Sequence, residues 1–158
     1  MTTWGLMGRI MEFGWINLLS AGIVVLIMIP NIIYATRLKQ DETQTKVSHY
    51  LTACEQVGRY GCIVLMWLPL FVWKFGFGSI EEFLIYLIGN GALLLCYYLF
   101  WMLYSREKTL SKAMALAIIP TVIFLLSGIL LRHWLLVTFA ILFGVAHCMI
   151  TYLTHKGF

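Results

Sequence analysis

Three ionisable side chains, Glu55, Arg59 and His147, fall in stretches where charge is costly. Glu55 and Arg59 are four residues apart, the spacing at which a carboxylate and a guanidinium meet on one helical face and form an ion bridge. Two chemistries are open to them. Either the pair is a structural bridge near a membrane interface, where each charge reaches water by snorkelling, or it is the charge-compensated wall of a polar pocket. His147 stands alone in the apolar run FAILFGVAHCMI. It either packs through a hydrogen bond or carries a proton or a ligand. The other candidate ligand-binding residues are Asn31, Tyr34, Tyr97 and Thr151. Asn31 directly follows Pro30, so it also suits a local role, capping the carbonyl that the proline frees.

Metal chemistry has little to stand on. His147 and Cys148 are adjacent, so on a helix they point about 100° apart and share an ion with difficulty. No His, Cys and Glu set has zinc-like spacing. No Gly-rich phosphate loop, Ser/His/Asp order or pair of intramembrane aspartates is present. No cofactor is expected, and no catalytic residue can be named.

The elements that carry these residues are apolar and long. Five stretches stand out, at 15–35, 61–73 with an amphipathic lead-in from Val47, 80–104, 110–131 and 134–152. A bilayer core about 30 Å thick needs ~20 apolar residues of helix to cross it. The chain is 61% apolar and 11% charged. A soluble domain averages about 45–50% and about 25%, so too little polar surface exists to coat a water-soluble globule. The runs do not alternate, which excludes a barrel. The expected fold is all-α, a polytopic transmembrane bundle of five helices forming a single domain over residues 1–158.

The formal net charge of +4 is a matter of topology and not a nucleic-acid signal. Arg37, Lys39, Lys46, Arg106, Lys108, Lys112 and Lys156 fall on one side, and Arg9, Lys74 and Arg132 on the other. The positive-inside rule then places the N-terminus outside and the C-terminus in the cytoplasm. Asn31, Tyr34, Glu55, Arg59, His147 and Thr151 all come to the cytoplasmic half, with Tyr97, Tyr98 and Tyr104 able to join them. The outer half is expected to be almost bare of such groups.

Local signals fill in the helices. Pro30 and Pro120 should kink theirs, and Pro69 should bend the outer half of the second. Ser79 to Glu82 is a capping-box pattern that starts the third. Gly89 and Gly91 flank Asn90 and suit a close helix approach. Trp4, Met7 and Met11 are spaced for a short interfacial helix. No cleavable signal is visible. Cys54, Cys62, Cys96 and Cys148 form no Cys-x-x-Cys pair and read as small buried hydrophobes.

The strings MIPNIIYA and EQVGRYGC resemble patterns of small bacterial five-helix integral membrane proteins that carry no assigned activity. That resemblance implies a bacterial inner membrane and nothing about chemistry. In size, helix count and Trp content the chain is also similar to the tryptophan-rich sensory protein (translocator protein) family. That family's Trp-x-Pro-Pro segment is absent, so none of its residues are carried over. The Pro30-Asn31 pair is similar to one in sugar-transporting three-helix bundles, into which five helices do not divide.

The favoured expectation is a protein that binds or transports a small amphipathic or lipid-like ligand in a helix-bundle pocket with a polar cytoplasmic end. One alternative is a membrane enzyme acting on a lipid head group at the inner leaflet, with His147 as general base and Arg59 on a phosphate. The other is a structural or assembly subunit. Expected partners are the lipid bilayer, that ligand and further copies of the chain in a homo-oligomer, and no nucleic acid.

Overall fold

The computed structural model describes residues 17–37, 47–68, 70, 72 and 77–156. All regular structure among them is α-helical: α1 (Leu18–Arg37), α2 (His49–Trp67), α3 (Ile80–Arg106), α4 (Leu110–Leu130) and α5 (Trp134–Lys156). The expected interfacial helix with Trp4, Met7 and Met11 lies outside the described residues, as do Arg9, Lys39, Lys46, Pro69 and Lys74.

Three of these helices, α3, α4 and α5, are long and apolar enough to cross a membrane. The apolar part of α1, Leu18–Tyr34, is shorter. The second apolar stretch was expected to continue as helix to residue 73, but α2 ends at Trp67. Its cap residue Leu68 is extended, at φ −107° and ψ 119°. The following proline explains this, because its ring clashes with an α-conformation in the residue before it. The outside of the assembly is apolar, with Leu95 75% and Ile88 67% exposed. Helices that stay apolar on their outward faces need an apolar solvent around them.

The helices close into a ring. α1 touches α2 and α3, α2 packs against α5, α5 against α4, and α4 against α3. Neighbouring hairpins alternate in direction, and α1 and α3 run parallel. Parallel packing follows from two hydrogen bonds of equal offset, Ser20 Oγ with Tyr86 OH at 2.7 Å and Tyr97 OH donating to Asn31 Oδ1 at 3.2 Å. A third bond comes from Tyr98 OH, which donates to the Leu26 carbonyl at 2.8 Å. α1 is thus tied to α3 by three polar rungs. Polar ties suit a lipid setting, where apolar surfaces gain little by leaving acyl chains for one another.

The α2–α5 contact is the tightest. A Cβ on Gly58 would lie 2.7 Å from the Phe143 backbone N, and one on Gly61 would run into the Phe139 ring. Only glycine lets the two backbones come so close. Gly89 faces Leu126 of α4, whereas nothing lies within 4 Å of where a Gly91 Cβ would be. Of the two glycines expected to serve helix approach, Gly89 does so.

At the end of the ring where α3 begins, Ser79 Oγ accepts from the Glu82 N–H at 3.2 Å, and Glu82 accepts in turn from the Gly78 N–H at 2.5 Å. The expected capping box forms, with its return bond moved one residue upstream. α4 ends in a Schellman turn. His133 N–H donates to the Gly128 carbonyl and Arg132 N–H to that of Ile129, with Arg132 at φ 56°. Arg132 then bridges to Glu82 at 3.0 Å.

This end is not bare of polar groups. Ser20, Tyr86, Asn90 and Ser127 are all buried there. Asn90 Nδ2 donates to the Tyr86 carbonyl at 2.9 Å, and Ser127 Oγ donates to Asn90 Oδ1 at 3.4 Å. The cluster is built of uncharged groups that satisfy one another, so a search for ionisable residues passes over it. Asn90 does act between helices. All four cysteines are free, and only Cys62 is fully buried, with Cys54 and Cys96 exposed on the flanks.

Candidate functional site

Residues from all five helices line a partly open cavity of ≈ 210 Å³. Its apolar wall includes Val24, Ile27, Ile63, Leu116 and Phe124. Its polar groups are Asn31, Arg59, Tyr97 and His147. These four lie nine to ten residues along their helices from the end marked by Arg106 and Lys156, or six for Asn31. That places them roughly 9–15 Å in from the basic end at 1.5 Å of rise per residue.

Glu55 stands behind this wall. Its side chain is 5% exposed and its Oε1 accepts from both Arg59 and His147 Nδ1, the latter at 3.2 Å. The Arg59 contact is the expected bridge within one helix. The His147 contact joins α2 to α5 and could not be read from spacing. It is possible because Gly58 brings α5 close, one turn from Glu55. Two donors from different helices therefore converge on one carboxylate oxygen.

Phe143 completes the arrangement. Its ring stacks on the His147 imidazole at 4.9 Å and 17° between planes, and the Arg59 guanidinium carbon lies 6.0 Å from its centroid. A cation over an aromatic face gains from the ring quadrupole. Phe143 was not among the expected residues. The signal was present, since it precedes His147 by one helical turn. With Nδ1–H donated to Glu55, the nitrogen left to take a second proton is Nε2.

Two prolines border the site. Pro30 has no N–H, so Leu26 loses its usual donor. Tyr98 supplies the replacement, while Asn31 Nδ2 donates instead to the Ile27 carbonyl at 3.2 Å. The expected capping by Asn31 thus falls to Tyr98. Asn31 is left with its Oδ1 on Tyr97 at the cavity wall. Pro120 in turn deprives Leu116 of its helical donor, and both residues lie in the wall.

Tyr34 and Thr151 are not brought to the cavity. Thr151 Oγ1 donates to the His147 carbonyl of its own helix at 2.8 Å. Tyr34 packs on Trp101, with ring centroids 5.4 Å apart, and on Tyr104 at 6.5 Å. Tyr104 OH is 3.2 Å from His155 Nε2. This aromatic group lies between the cavity and the basic end. Among the described residues, no group of three or more His, Cys, Asp or Glu gathers as metal ligands would.

No family model, curated protein or solved structure matches this chain.

Proposed function

We propose that this is an integral membrane protein with five crossings, set in a bacterial inner membrane with the N-terminus outside, that binds or transports a small amphipathic ligand in its central cavity. The ligand's polar end lies toward the cytoplasm, among Arg59, His147, Asn31 and Tyr97. Its apolar part lies along Val24, Ile27, Ile63 and Phe124. The observation that carries this reading is a cavity to which every helix contributes, with mostly apolar walls and four polar groups among them. Small-molecule sites have this composition, mostly apolar with a few placed polar groups that fix orientation. A merely structural ion pair would have no need of an adjoining space.

The test is ligand binding to purified protein in nanodiscs, with 1-octanol and octanesulfonate as probes and empty discs subtracted. Ile63→Trp fills the cavity from α2 and is expected to weaken binding of both probes at least tenfold. His147→Ala is expected to weaken binding of octanesulfonate. Binding unchanged by Ile63→Trp would remove this site.

A further inference from the structure

Charge counting at the cavity narrows the ligand class. Glu55 is withdrawn behind the wall, whereas Arg59 and His147 line it. A molecule in the cavity therefore meets the guanidinium and the imidazole and not the carboxylate. Arg59 has five N–H donors and spends one amino group on Glu55, which leaves part of its fork for another partner. With His147 neutral, Glu55 and Arg59 cancel and the site has no net charge. With His147 protonated on Nε2, two cations share one carboxylate and the site carries one positive charge.

We infer that the cavity takes an amphipathic monoanion together with one proton, the anionic head resting on Arg59 and His147 and the proton residing on His147 Nε2. This rests on the ligand-binding reading above and gives it a substrate class and a coupling. Binding moves a proton from solvent to His147 and forms and breaks no other covalent bond. The physical reason is electroneutrality. An unpaired charge in a membrane-embedded site is costly, and the pair of anion and proton leaves the filled cavity neutral. A neutral amphipath gains nothing from the proton, and a cation is repelled by Arg59 and protonated His147.

The groups facing His147 are few. α2 presents Glu55 and Arg59, α3 presents Tyr97 across the cavity, and its own helix presents Phe143. α1 contributes Asn31 and α4 contributes Leu116 and Pro120, none of which titrates. Among these side chains histidine is the type suited to carry a proton, and His147 lines the cavity where the anion would lie.

The experiment uses full-length protein in nanodiscs and three eight-carbon probes: octanesulfonate, 1-octanol and octyltrimethylammonium. None of these changes charge in the pH range used, so any pH dependence belongs to the protein. Octanesulfonate affinity is expected to rise at least tenfold from pH 8 to pH 6, toward the linkage limit of about tenfold per pH unit for one coupled proton. Octanol affinity should change less than twofold, and octyltrimethylammonium should bind weakest. His147→Gln should hold octanesulfonate at its pH 8 affinity throughout. Glu55→Gln removes the counter-charge and should raise octanesulfonate affinity at pH 8 at least tenfold, an effect that loss of folding cannot imitate. Octanesulfonate binding that is insensitive to pH, or weaker than octanol at pH 6, overturns the coupling while leaving the cavity as a ligand site. If no probe binds above empty discs, the ligand reading fails and takes this inference with it.

Discussion

Tyr98 performs for Pro30 the service that sequence reasoning gave to Asn31. A proline inside an apolar helix leaves a carbonyl that needs a donor where no water is available. The donor is not the neighbour in sequence but a tyrosine from α3, 72 residues away. The assignment can be checked with a double-mutant cycle. Tyr98→Phe should destabilise the protein by about 1–3 kcal/mol, the cost of stranding a polar group. In a Pro30→Ala background, residue 30 regains its N–H and the same substitution should cost close to nothing. Thermal unfolding in detergent measures both, and equal costs in the two backgrounds would break the assignment. Glu55 with Arg59 was readable as a pair because both sit on one helix. The third member, His147, had no such signal. Its contact with Glu55 spans 92 residues and depends on how two helices are rotated.

At the scale of the element, the glycines separate what matters from what merely resembles it. Gly89 and Gly91 drew attention because they flank a polar residue at mid-helix. The close crossing is made by Gly58 and Gly61 of α2, which lie beside the charged residues. This crossing sets the distance from Glu55 to His147. Gly58→Ala puts a methyl against the Phe143 backbone, which cannot swing aside as a side-chain end would. It should destabilise the fold by about 1–3 kcal/mol, as overpacking does, and should weaken octanesulfonate binding as well. Gly91→Ala meets open space and should be neutral or stabilise by up to about 1 kcal/mol, since alanine is the better helix former. Unfolding curves and binding isotherms of both variants test the contrast. If Gly58→Ala behaved like Gly91→Ala, the α2–α5 crossing would not be the feature that builds the site.

For the molecule as a whole, charge lies unevenly on the two ends of the ring. Arg37, Arg106, Lys108, Lys112 and Lys156 mark the end nearer the cavity's polar groups, and Arg132 marks the other. Glu107 joins that basic end, where its ion pair with Lys112 holds its carboxyl below the usual carboxylate range. The positive-inside rule predicts that the basic end is cytoplasmic. A fusion at the C-terminus is therefore expected to give a fluorescent green fluorescent protein and an inactive alkaline phosphatase. An active phosphatase there would invert the protein and turn the polar side of the cavity outward. The ring also explains why the site uses every helix. Five helices packed together leave a partly open space that no pair could line.

Helices long and apolar enough to cross a membrane, the number of apolar stretches, the start of α3 at Ser79 and the Glu55–Arg59 pair were all legible in the chain. Each depends on residue type and on neighbours within one turn, so a one-dimensional reading suffices. Tertiary structure alone decided that His147 meets Glu55, that Asn31, Arg59 and Tyr97 share a wall while Tyr34 and Thr151 do not, and that a second polar cluster lies around Tyr86. The physical reason is the solvent itself. A helix in water shows its inward face by an apolar stripe. A helix apolar on every side carries no such stripe, so its rotation is set by glycine contacts and hydrogen bonds to helices far away in sequence.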